Sequence, residues 1–213
     1  DTPLHAQLTC GIAIGLHDPR FDLHLRLGLV KGADERLRRG QTIGQVADDE
    51  RVRALIDAET LAPSWELKMD HGVRCMAFEK AADGSTSRLF MQLSDVHGVA
   101  VIDFKAHKEL PRLMLPNEPK NGVAHSGAPS HGVAVTADQK TMLVDSSIAE
   151  GVFFYSLPDL KNTGFVRTGN TPDWIATTPD SKQAYIAVAG ENTVSVLDIA
   201  TRKEKTRIPV GEV

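Results

Sequence analysis

Three residues of different chemistry stand at one recurring position of this chain. Arg74, His131 and Asp173 each open a short apolar run, and the turns that follow each run are alike. A guanidinium, an imidazole and a carboxylate gathered at one place would hold an anionic or sugar-like ligand by charge-assisted hydrogen bonds. Asp95 and His97, His125, Trp174 and Asn192 stand in segments able to join them. His97, His125 and His131 with a carboxylate would suit zinc, copper or iron, but sequence spacing supplies no ligand geometry, and the reading taken is of no metal and no cofactor. The plainer alternative is that these polar groups are solvated and satisfy loop backbone. Trp174 either offers a stacking platform or packs between structural units, and packing is the preferred reading.

Catalytic residues are not assigned. The chain holds no GxSxG, HExxH, P-loop or GxGxxG pattern, each of which carries a specific mechanical role. Ser126 follows His125, but nothing places an acid behind that histidine.

The elements that must position these residues form a repeat. From Trp174 onward the chain reads as strand, Pro-Asp-Ser-Lys turn, strand, Gly-Glu-Asn turn, strand, Asp-led turn, strand. Short β-branched runs between such turns are the pattern of an antiparallel meander. A shift of 42 residues lays the preceding stretch on this one: Asp138 on Asp180, Lys140 on Lys182, Val144 on Ile186, Val152 on Val194 and Gly169 on Gly211. A third copy has strands at Arg74–Phe78, Arg88–Leu93 and Val99–Asp103. Its added length fits a Pro-, Gly-, Asn- and His-rich insertion from Pro116 to Ser130. Asp57, 46 residues before Asp103, marks the tail of a fourth copy, in preference to a helix over Asp48 to Leu61. The aspartates ending third strands (Asp57, Asp103, Asp198) and those of the Asp138 and Asp180 turns are expected to cap turns through backbone N–H groups.

A lone four-stranded meander cannot bury both its faces, whereas radial stacking of several can. The expected fold is therefore all-β: a β-propeller of four-stranded antiparallel blades, with about three clear blades and a degenerate N-terminal part. Residues 1–45 read as a divergent β-rich segment, with a degenerate blade as one reading of it. In it Phe21 to Leu29 alternates apolar and polar residues, and Gly11 to Leu16 precedes it as a hairpin partner. Gly32 to Arg39 reads as a loop or short helix. Blades follow at 46–70 (partial), 71–116, 117–169 and 170–213. Such a chain is a fragment, an open arc or a diverged four- to five-bladed ring, with a fragment preferred. In a propeller the entries to the innermost strands and the loops between second and third strands share one face. That rule is what brings Arg74, Asp95, His97, His131, Asp173, Trp174 and Asn192 to one channel mouth.

The net charge of −4 and the lack of a basic block exclude a nucleic-acid role. No apolar run approaches the roughly 18 residues of a membrane span. Cys10 and Cys75 lack metal or haem-attachment spacing; they could pair in an oxidising compartment, but two unrelated buried thiols is the preferred reading. A start at Asp1 implies a removed leader or missing upstream sequence.

The motifs Pro172-Asp-Trp-Ile-Ala-Thr-Thr-Pro-Asp-Ser-Lys, Ala184-Tyr-Ile-Ala-Val, Asn192-Thr-Val-Ser-Val-Leu-Asp and Arg207-Ile-Pro-Val-Gly resemble the YVTN family of β-propeller repeats. The resemblance covers Val73 to Val213, is weak over Ala47 to Asp70 and is absent before that. It departs from the family in the second strands, where Val188, Asp145 and Leu93 stand near the family's Asn. It implies an exported, periplasmic or extracellular protein. The regular repeats and the lack of a catalytic constellation favour a non-catalytic scaffold of the cell envelope, binding a small molecule or a protein at the propeller face. Relatives of that fold imply two alternatives, a lactonase acting on a sugar lactone at the channel mouth and a propeller subunit of a redox enzyme.

Overall fold

The computed structural model describes residues 63–124 and 128–211, together with the backbone of strands β1 (Gln41–Gly44) and β2 (Val52–Asp57). The expectations for residues 1–40, and those for His125 and Ser126, lie outside the described residues. β1, β2 and β3 (Pro63–Lys68) make a three-stranded antiparallel sheet. Val52–Asp57 is thus a strand paired on both sides, not part of a helix.

Three four-stranded antiparallel meanders follow. The second sheet holds β4 (Val73–Lys80), β5 (Thr86–Leu93), β6 (Gly98–Asp103) and β7 (Lys108–Met114). The third holds β8 (Val133–Val135), β9 (Thr141–Ser146), β10 (Gly151–Ser156) and β11 (Asn162–Arg167). The fourth holds β12 (Pro172–Thr177), β13 (Gln183–Val188), β14 (Thr193–Asp198) and β15 (Lys203–Pro209). Strand order follows chain order in each.

The repeat is visible atom by atom in the turns. Thr136 Oγ1 donates to Asp138 Oδ1 at 2.7 Å and Thr178 Oγ1 to Asp180 Oδ1 at 2.6 Å. The same carboxylates accept Lys140 N–H and Lys182 N–H, each at 3.1 Å. Gln139 and Ser181 then take φ values of 59° and 60°. Asp103 and Asp198 cap the turns after their strands as expected, Asp103 accepting Ala106 N–H and Asp198 accepting Thr201 N–H, both at 2.8 Å.

The second and third sheets each use their two faces for two different neighbours. On the second sheet, Leu89, Met91, Ala100 and Ile102 point to the first sheet, where Trp65 and Leu67 meet them. Its other face sends Ala77, Phe90, Val99 and Val101 into a core with Val133, Met142, Val144, Phe153 and Tyr155 of the third sheet. The third sheet's far face sends Ala134, Leu143, Val152 and Phe154 against Ile175, Ala184, Ile186, Leu197 and Ile199 of the fourth. Period-two alternation with both faces apolar therefore yields a stack of sheets rather than one sheet facing water. Two interior edges converge on β8, which lies against both β4 and β12.

Among the described residues no helix is long and apolar enough to cross a membrane. Cys75 is disulfide-bonded, which corrects the expectation of two unrelated buried thiols: bridging depends on Cβ proximity in space, which spacing along the chain does not encode. Cys10, the chain's other cysteine, lies outside the described residues.

Candidate functional site

The site is built on the entries to β4, β8 and β12. Register equates Arg74 with His131 and Asp173, since Ala77, Ala134 and Ala176 pair with Phe90, Leu143 and Tyr185 in their respective sheets. His131 Nδ1 lies 3.0 Å from the Asp173 carbonyl oxygen and 3.6 Å from Asp173 Oδ1. A carbonyl only accepts, so Nδ1 carries the proton in that contact and a neutral ring keeps its Nε2 lone pair as an acceptor. The Trp174 ring meets His131 edge-on at 4.7 Å between centroids, and Trp174 is 39% exposed. Cys75 Sγ stands 3.6 Å from His131 Nδ1. Arg74, one residue before Cys75, donates from Nε to Ser94 Oγ at 2.9 Å.

Below this cluster lies a buried polar frame. Asp145, at the end of β9, is completely buried. Its Oδ1 accepts His131 N–H and its Oδ2 accepts Gly132 N–H, both at 2.8 Å. Gln92 of the second sheet donates to the Gly132 carbonyl at 3.2 Å and accepts from Ser130 Oγ at 2.7 Å. The His131 N–H and both backbone groups of Gly132 are thereby held, so the imidazole projects from a fixed strand entry. Burial pushes the Asp145 carboxyl pKa well above its ordinary range, the two backbone N–H groups pull it down, and the Asp173 charge adds to the rise. Gly132 is required here: a Cβ on it would lie 2.3 Å from Asp145 Oδ2.

The other expected residues make other contacts. His97 Nε2 meets Ser146 Oγ of the third sheet at 2.8 Å, and its buried Nδ1 has no hydrogen-bond partner among the described residues. Burial lowers the His97 pKa, and the Asn117 side chain opposes that shift. Stability linked to His97 is therefore complete above about pH 6.5 and is lost as pH falls below it, because the unfolded imidazole protonates first. Thermal melts between about pH 8 and 5 should show this acid-side decline, and His97→Gln, which can still reach Ser146, should flatten it. An unchanged slope in the variant would assign the decline to other groups.

Asp95 is exposed in a turn at φ 61°. Asn192, exposed at φ 50°, sits beside Glu191, which binds Arg207 and accepts Asn170 N–H at 2.8 Å. His97 and His131 are committed to different partners, and among the described residues no three His, Cys, Asp or Glu side chains group as a metal site. Sequence reasoning missed Asp145, Gln92, Ser130 and Cys75 as parts of the site. For Asp145 there was a signal: a carboxylate at the end of the apolar run Met142-Leu-Val144, where the resemblance expects Asn.

No protein-family model and no curated protein matches the chain. Among solved structures it is similar to hydrazine synthase of Kuenenia stuttgartiensis, with a TM-score of 0.58 and 18% identity. The match covers 76% of this chain and 44% of that one, so the chain spans less than half of that relative's length. That structure contains a β-propeller. The chain has a β-propeller-like fold, here a partial propeller. At such identity the likeness shows the fold alone, and the fold carries many unrelated functions.

Proposed function

We propose that this partial propeller is a non-catalytic binding scaffold of the cell envelope, whose mouth takes a small anionic or sugar-like molecule. The observation that carries the reading is the His131–Asp173–Trp174 cluster, set on a strand entry that Asp145 and Gln92 immobilise. A ligand-binding site gains affinity when its polar groups are held in place beforehand. Trp174 adds a partly exposed aromatic edge, and Arg74 at the equivalent position adds a cation. The disulfide-bonded Cys75 supports an oxidising compartment, as expected of an exported protein.

Titration calorimetry against glucuronate, gluconate and gluconolactone tests this. Binding of at least one is expected, weakened about tenfold or more in His131→Ala and Arg74→Ala, with gluconolactone opening no faster than in buffer alone. No heat from any of the three would sink the reading. Hydrolysis of the lactone above the buffer rate that disappears in Asp173→Asn would replace the scaffold with a lactonase.

A further inference from the structure

Arg74 differs from the other half-buried arginines in what its guanidinium meets. Arg88 binds Glu79, Arg112 binds Glu109 and Asp70, and Arg207 binds Glu191 and Glu204. Arg74 is half-buried too, yet its Nε donates to the neutral Ser94 hydroxyl, and no carboxylate among the described residues pairs with it. The N–H groups of both its terminal nitrogens are left to a ligand, on a planar fork that Ser94 orients. Register slips by one residue between Val73 and Met76 on β4 and between Pro172 and Trp174 on β12. Arg74 and Asp173 fall within these two slips. Such bulges re-aim side chains and are frequent beside functional sites. His131 lies between them, near Cys75 Sγ on the Arg74 side at 3.6 Å and near the Asp173 carbonyl on the other at 3.0 Å. On the Asp173 side the chemistry is reversed. The Asp173 carboxylate, 27% exposed, and the Nε2 lone pair of a neutral His131 both accept hydrogen bonds.

We propose that the mouth selects a polyhydroxy monocarboxylate, a sugar acid whose carboxylate lies on Arg74 and whose hydroxyls lie on Asp173 and His131; this rests on the binding reading above. A carboxylate matches the guanidinium fork with two parallel charge-assisted hydrogen bonds. Hydroxyls supply the donors that Asp173 and Nε2 lack. A neutral polyol satisfies the acceptor end but leaves the Arg74 fork without an anion. A dicarboxylate satisfies the fork but sets its second charge against Asp173 and against a lone pair, with no donor to receive it. Specificity thus comes from an attractive element at one end and a repulsive one at the other. Trp174, 39% exposed and edge-on to His131, offers apolar contact to the C–H groups of the hydroxylated chain.

Titration calorimetry of the full chain with gluconate, glucitol and glucarate tests the proposal, at about pH 8 and fixed ionic strength. These ligands share one hydroxylated carbon chain and carry one, no and two carboxylates. Gluconate is expected to bind about tenfold or more tightly than either of the others. Arg74→Gln should bring gluconate down to within about threefold of glucitol, since the charge-assisted fork is gone. Asp173→Asn should admit glucarate to within about threefold of gluconate, since the like charge is gone. The wild-type ranking needs no variant, and near-ultraviolet circular dichroism checks that each variant keeps the fold. Glucitol or glucarate bound as tightly as gluconate by the wild type would overturn the selection while leaving a binding scaffold in place. So would a folded Arg74→Gln that keeps the preference for gluconate, or a folded Asp173→Asn that still rejects glucarate. Binding of gluconolactone without gluconate would likewise sink this inference alone, whereas no heat from any sugar or sugar acid would overturn it together with the reading it rests on.

Discussion

Asp145→Ala is expected to destabilise the chain by about 3 kcal/mol, although it removes a buried carboxylate. Two backbone N–H groups, the part-buried one of His131 and the buried one of Gly132, would lose their acceptors, at about 1–3 kcal/mol each. Relief of the carboxylate's own desolvation offsets part of that cost. For a chain of this length the net loss lowers the melting temperature by roughly 6–12 °C. Gly132→Ala attacks the same contact from the other side, since its Cβ would meet Asp145 Oδ2 at 2.3 Å and the Asp173 carbonyl at 3.1 Å. The two substitutions share one target, so the double variant should lose clearly less than the sum of the single losses. Additive losses, or a cost below about 0.5 kcal/mol for Asp145→Ala, would show that the clamp does not hold the strand entry.

The same carboxylate gives a pH signature. Its folded-state pKa lies above the unfolded one, so the folded chain holds the proton more tightly. The stability linked to Asp145 is fully present below about pH 3.9 and is lost as pH rises from there through the raised folded value. This slope opposes the one from His97, and Asp145→Asn should remove it while leaving the His97 decline in place. Asn keeps one acceptor oxygen, so its stability cost should fall below that of the Ala variant.

How far the chain could be read follows from which interactions are local. The turns were legible because Asp138, Asp180, Asp103 and Asp198 bond to backbone N–H groups within three residues of themselves. The strands were legible because period-two alternation is itself a local pattern. The meeting of His131 with Asp173 followed from combining the 42-residue shift with the geometry of stacked meanders. Long-range choices were not legible. Asp145 reaches back 14 residues to His131 N–H, and Gln92 reaches 40 residues to Gly132. No spacing rule marks either, and only the placement of a polar residue inside an apolar strand hints at them. His97 was expected at the shared mouth because its loop lies on the right face. Its side chain instead turns to Ser146 on the adjoining sheet, a rotamer choice that topology leaves open.

The largest loss is expected from Phe90→Ala, about 3–5 kcal/mol, as the first member of a graded series. Phe90, Leu143 and Tyr185 occupy one position of the repeat, each the cross-strand partner of an alanine on its inner strand. Phe90 and Leu143 are fully buried between sheets, while Tyr185 is 37% exposed. Truncating the first opens a cavity between the second and third sheets, and truncating the second opens one between the third and fourth. Leu143→Ala should therefore cost about 2–5 kcal/mol. In a stack where each sheet contacts only its neighbours, stability is approximately a sum of sheet and junction contributions, so these losses should add across different junctions. Tyr185→Ala, measured in denaturant, faces no such junction among the described residues and should cost less than about 1 kcal/mol. A cost for Tyr185→Ala equal to that of Leu143→Ala would mean that the fourth sheet's face is already covered from within the chain. The Phe90 and Leu143 losses would still stand as the measure of how sheet stacking holds the described sheets together.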